Sequence, residues 1–286
     1  MTQATASLRV STFAHVRTMA KYAFLNYFRA RRFYVILAIV LAMSALLTFA
    51  AAYFRSGFFG FGLPEENHPQ LAFYSAWWGS FVPLVTLLSA VFFGGDAISG
   101  EFQNKTGYFL VPNPVRRSAI YVGKWLAAFG AAGLVLGVFA LIALANATYF
   151  FGFPVQFEFI ESVAFAYVNL VAVLTLTFLF SSLFKSSALS VLMTVIVLLF
   201  ALNIVDTIVA SIAGIEPWFS ITYAGGIISN VLHIPYPQGV QTPPGPPGFR
   251  VTVFSASILE GLVIMAAYFV VSGLLGLFLF EKKELT

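Results

Sequence analysis

Residues 71–93 read LAFYSAWWGSFVPLVTLLSAVFF, and residues 94–124, directly after them, read GGDAISGEFQNKTGYFLVPNPVRRSAIYVGK. The first stretch carries no charge, and as a helix rising ~1.5 Å per residue it exceeds the ~30 Å hydrocarbon core of a bilayer. The second is a polar island of charge, glycine and proline. It is where an otherwise lipid-suited chain can meet a water-soluble partner.

Working outward, five more apolar runs are long enough to span: 33–54, 121–147, 162–184, 188–213 and 253–280. They are continuous rather than alternating and about twice the length of a barrel strand, so they predict helices. Hydrophobic residues make up 60% of the 286 and charged residues 9%, against about 25% charged in a soluble domain. The expected fold is therefore an all-α membrane protein with six transmembrane helices. There is no cysteine, which excludes disulfides and thiolate metal sites.

Charge sets the expected topology. With the N-terminus in the cytoplasm, every Lys and Arg except Arg55 and Arg250 falls on the inner side or its rim. That is a positive-inside pattern, with both termini cytoplasmic in a multi-pass protein of the cell membrane. It also explains the net charge of +4 without nucleic acid. Residues 1–32 are too far from a signal-peptide pattern to be read as one. Within them, 10–27 predict an amphipathic helix with Phe13, Val16, Ala20, Ala23, Phe24 and Tyr27 on one face, lying in the inner interface near anionic lipid headgroups. The first unit is thus 1–32 and the transmembrane domain 33–286, with an inner loop at 94–120 and an outer loop at 214–252. That outer loop is long and carries seven of the 13 prolines. Its first half is apolar but too short to span, which suggests a re-entrant or interfacial segment. Trp77, Trp78, Trp125, Tyr53, Tyr149 and Trp218 are read as aromatic belts near span ends.

The island carries the most specific signal: Gly95-Asp96-Ala97-Ile98-Ser99-Gly100-Glu101, then Lys105-Thr106-Gly107, Pro114-Val115-Arg116-Arg117, and Gly123-Lys124 entering the third span. This resembles the type 2 ABC exporter permeases, whose loop reads I-S-G-E, a basic-Thr-Gly step, P-V-x-R and G-K. Where many members have a further charged pair, this chain has Phe102-Gln103-Asn104. The resemblance implies a permease subunit, paired with a second copy or a similar chain and driven by two ABC ATPase subunits. ATP and magnesium would be bound by those partners, with no cofactor in this chain. It also makes Asp96, Gly100, Glu101, Phe102, Lys105, Thr106, Gly107 and Tyr108 the expected ATPase-coupling loop. Physically, such a loop docks on a motor through apolar anchors such as Phe102 and Tyr108, rimmed by Asp96, Glu101 and Lys105.

Polar residues within spans are expensive and mark candidates for function. Asp206 lies in the fifth span and Glu260 in the sixth, each with Asn203 or Ser257 one turn away, and Asn146 and Asn169 fall at similar depth. One reading is helix-to-helix hydrogen bonding; the other is a translocation pathway, for which Asn203, Asp206 and Glu260 are the candidates. The second and fifth helices line the central path in the resembling family, which favours Asn203 and Asp206. An ion-coupled secondary transporter or channel using Asp206 and Glu260 is the alternative function. No P-loop, H-E-x-x-H or G-x-S-x-G occurs, so this chain is expected not to be an enzyme. Aromatic, uncharged walls favour a hydrophobic or amphipathic cargo.

Overall fold

The computed structural model describes residues 12–53, 68–104, 116–237, 239–241 and 253–283. Six helices in it are long and apolar enough to cross a membrane: Arg31–Tyr53, Pro69–Gln103, Arg117–Phe151, Phe157–Leu183, Ser187–Ala213 and Ile258–Lys282. The protein is an all-α membrane protein. Its only strands among the described residues are Gly239–Gln241 and Val253–Ser255, an antiparallel pair ahead of the sixth span.

A lead-in helix, Thr12–Arg29, precedes the first span. Its expected apolar stripe is real, and it packs on the third span. Gly123 and Gly130 make the seat: a Cβ on Gly123 would lie 2.7 Å from that of Met19, and one on Gly130 would lie 3.0 Å from the Phe24 ring. Small residues at such positions let helices approach closely. Tyr27 is buried, whereas Phe13 is 78% exposed and lies outside the seat.

The second span is the most enclosed, with 67% of its apolar window buried against 17% for the fifth and sixth. It lies between the third and fourth spans, and the sixth packs along the fourth. Trp77 and Trp78 are fully buried. This corrects their reading as belt residues: they stack on Phe139 of the third span, and Trp78 Nε1 donates to Ser162 Oγ at 2.9 Å. Tyr53, Tyr149 and Trp218 are exposed, as a belt requires.

Helix ends differ from the hydropathy limits because backbone hydrogen bonding continues through polar residues. The third span runs on to Phe151 and stops at Gly152, whose φ of 79° suits only glycine. The fifth stops at Gly214 in the left-handed conformation. The sixth begins at Ile258, not at 253, because Val253–Ser255 is in the strand pair.

Between the fifth and sixth spans the chain turns back into the bundle. The short helices Ile221–Gly225 and Ile227–Asn230 bury Ile221, Ala224, Ile227 and Ile228 almost completely, and the turn after them buries Leu232. They pack against the second, fourth and sixth spans. Gly79 and Gly261 admit them: a Cβ on either would lie 2.7 Å from Ser229 or Ile227. The first half of the outer loop is thus an inserted segment. Its proline-rich part, 242–252, lies outside the described residues.

Candidate functional site

Every described Lys and Arg lies at one end of the bundle or on the lead-in helix beside it, and the polar island begins at this basic end. The second span does not simply end there. It turns at Gly95–Ile98 and continues as a short helix, Ser99–Gln103. Two glycines permit this elbow. A Cβ on Gly94 would lie 2.9 Å from Leu174 of the fourth span, and one on Gly95 would lie 2.8 Å from Val191 of the fifth.

A turn buried in this way must have its backbone groups satisfied. Ser181 Oγ, on the fourth span, accepts from the backbone N–H of both Ile98 and Ser99 at 3.0 Å each. It does what an N-cap side chain does for its own helix, from another span. Ser190 Oγ, on the fifth span, donates to Gly95 O at 2.6 Å. Gln103 Oε1 accepts from the backbone N–H of Ser187 at 2.7 Å.

Charge completes the fastening. Arg32 of the first span meets both carboxylate oxygens of Asp96 through one nitrogen, at 2.7 and 2.8 Å. Its guanidinium also covers the Tyr27 ring at 4.9 Å. Lys124 of the third span pairs with Glu101 and donates to Ala97 O at 2.8 Å. Side chains of both pairs remain partly exposed, so each contributes on the order of 1 kcal/mol or less in water. Their main effect is to fix the direction of the elbow. Tyr27 donates to Phe93 O at 2.8 Å. Burial pushes its phenol well above the usual value, so it remains a donor.

The sixth span closes the ring. Phe102 lies edge-on to Phe280 at 6.3 Å, and Lys283 Nζ stands 4.4 Å over the Phe102 ring. Lys283 also donates to Ser182 O and Phe184 O at 2.9 and 2.7 Å. Burial, and then the neighbouring charge of Lys185, push the Lys283 ammonium down to about 8. The two carbonyls and the ring face act in the opposite sense and are outweighed. Arg117 of the third span binds the last carbonyls of the sixth, Glu281 O and Lys283 O, at 2.8 and 3.1 Å. A cleft of ≈ 570 Å³ opens between the lead-in helix and the elbow, with Tyr22, Asn26, Asp96, Gly100, Glu101 and Asn104 among its lining.

Of the residues singled out in the sequence, Asp96, Gly100, Glu101 and Phe102 are gathered at this elbow. Lys105, Thr106, Gly107 and Tyr108 lie outside the described residues. Asp96 and Glu101, expected to rim a partner, are engaged by Arg32 and Lys124 of their own chain. Those two cations, and Ser181, were missed as elbow partners because their pairing is set by the fold and not by spacing along the chain.

The second set does not form one constellation. Asn203 Nδ2 donates to Leu198 O and Leu199 O of its own helix, at 3.1 Å each. These carbonyls lie in a π-helical stretch, Ile196–Ala201. Asp206 Oδ2 accepts from Ser220 Oγ at 2.7 Å and from Thr222 Oγ1. Asn146 Nδ2 donates to Thr48 Oγ1 of the first span at 2.7 Å. Glu260 is not deep in the sixth span. It sits in the first turn and forms a capping box with Ser257. The S-x-x-E spacing of Ser257 and Glu260 was the available signal for this.

The fold is thus a six-span membrane protein whose polar elbow, at one end, is tied to each of the other five spans. The family model for ABC-2 family transporter proteins matches residues 17–285, and the chain belongs to that family. No curated protein matches it. Membership makes the chain a membrane transport subunit, of a family that works in association with separate ABC ATPase subunits.

Proposed function

We propose that this chain is the permease of an ATP-driven exporter and that the elbow at 94–104 receives the work of the motor. The observation that supports this reading is the elbow itself. It is bonded or packed to the first span through Arg32, the third through Lys124, the fourth through Ser181, the fifth through Ser190 and the sixth through Phe280. A push on one short helix therefore reaches the whole bundle. The basic end faces the cytoplasm, in keeping with the positive-inside rule. Two ATPase subunits, holding ATP and magnesium, dock there on a pair of permease chains, and the contact surface continues through 105–108. Motor closure shifts the bundle between conformations, with no chemistry in this chain. The aromatic, sparsely charged spans suit a hydrophobic or amphipathic cargo.

A photo-crosslinking residue at Asn104, exposed at the tip of the elbow, tests this in native membranes. It should capture an ABC ATPase, while the same probe at Tyr149, 83% exposed at the opposite end, should not. Capture at both sites or at neither, or efflux that continues when cellular ATP is depleted, would overturn the reading.

A further inference from the structure

The fifth span is poorly enclosed, and its side chains are hydrogen-bonded to other parts of the chain near both ends. At the basic end Ser190 Oγ donates to Gly95 O, and the backbone N–H of Ser187 donates to Gln103 Oε1. Toward the other end Asp206 takes hydroxyl hydrogen bonds from Ser220 and Thr222 of the inserted segment. Among the described residues, these are the only side-chain hydrogen bonds from the outer half of the fifth span to the rest of the chain. Between the two attachments Leu192, Ile196, Phe200 and Ile204 are exposed. Two π-helical stretches, Ile196–Ala201 and Val209–Ala213, bracket the segment that carries Asp206.

Thr194 and Leu198 on the opposite face are buried, so the middle of the span is seated along one face only, between two hydrogen-bonded attachments. Ser220 is fully buried and caps the helix Ile221–Gly225. The carboxylate of Asp206 therefore holds the cap of the inserted segment, at its entry into the bundle. Its other oxygen is buried without a partner, so the two hydroxyls are the carboxylate's whole hold on the segment.

We propose that the fifth span is a connecting rod between the elbow and the inserted segment, with Asp206 as its outer joint. Displacement of the elbow moves Ser187 and Ser190, and Asp206 carries that movement to Ser220 and Thr222. Asp206 is then a positioning residue for the far end of the transporter, neither a cation site nor a wall of the path. The proposal rests on the elbow being the driven element.

The test needs no motor, so its failure is distinct from failure of the ATPase reading. The chain has no cysteine, so one introduced at Ile234, half exposed just after the inserted helices, is the only thiol. Its reaction rate with a maleimide is read in nanodiscs. Asp206→Ala should raise the rate about tenfold, equivalent to ~1.4 kcal/mol in the opening equilibrium, and Asp206→Asn, which keeps an acceptor oxygen, should recover most of the loss. Gly95→Ala drives a methyl against Val191 and should change the rate at the distant thiol with Asp206 present but not with alanine there. A purely structural Asp206 would give additive effects in this double-mutant cycle, and additivity would overturn the proposal. If Gly95→Ala does not fold, Gln103→Ala, which removes the bond to Ser187, takes its place with the same two outcomes.

Discussion

Replacing Ser181 by alanine should loosen the elbow while leaving the six spans in place. Its hydroxyl is fully buried and is the acceptor for two backbone N–H groups, of Ile98 and Ser99, each at 3.0 Å. Neither has another acceptor among the described residues. An unsatisfied buried donor costs about 1–3 kcal/mol, so the pair should lower the local opening free energy by ~2–6 kcal/mol. In native-state hydrogen exchange that corresponds to about 30-fold to about 10⁴-fold faster exchange at Ile98 and Ser99. The assay is exchange of the 95–104 peptide in nanodiscs, wild type against Ser181→Ala. Ser182→Ala is the control, since Ser182 Oγ donates only to Phe178 O of its own helix, and it should leave the elbow unchanged. Equal exchange in Ser181→Ala and wild type would refute the view that the fourth span holds the elbow.

Gly123→Ala should push Met19 off its seat and lower thermal stability by ~1–3 kcal/mol through overpacking, read as a lower midpoint in a thermal melt. Gly276→Ala should be destabilising for a similar reason, since the new Cβ would run into the buried Tyr121 hydroxyl; Tyr121→Phe in the same chain should restore much of the midpoint. Lys283 is held down to about 8 in the fold, against 10.5 for an ordinary lysine. Between those values the unfolded chain binds the extra proton, so stability from this group should rise with pH from about 8 to 10.5. A melting series over that range should show the rise in wild type and a flatter profile in Lys283→Gln. Ser257→Ala should cost about 1 kcal/mol by removing the cap of the sixth span, and Glu260→Gln should leave transport without any new ion dependence.

The six spans were legible because lipid demands long apolar runs, and hydropathy reports that demand directly. The inserted segment was half legible, as an apolar stretch too short to cross. Its depth depended on Gly79 and Gly261 opening space on two separate spans, which no local pattern shows. The elbow is visible in the sequence as polarity and reads there as a loop. Its helical, buried form depends on serines that lie far along the chain, Ser181 on the fourth span and Ser190 on the fifth. Trp77 and Trp78 misled because indoles favour interfaces on average, while here the Trp78 N–H found Ser162 inside the bundle. Asp206 and Glu260 looked alike in the sequence. One joins the fifth span to the inserted segment and the other caps a helix, a difference set by where the sixth span begins.

The third span, Arg117–Phe151, is 35 residues long, or ~52 Å, some 20 Å more than the hydrocarbon core. Lys124 and Arg117 place the surplus at the basic end, where the lead-in helix braces it at Gly123. Such an overhang multiplies angle into distance: a tilt of about 10° within the bilayer sweeps its tip through roughly 3–4 Å. Lys124 rides on this lever, ~10 Å inside its tip, and grips Glu101. A small change of bilayer thickness or curvature that tips the span would therefore reach the elbow as a displacement of roughly 1–2 Å, making lipid composition a mechanical input to the same joint.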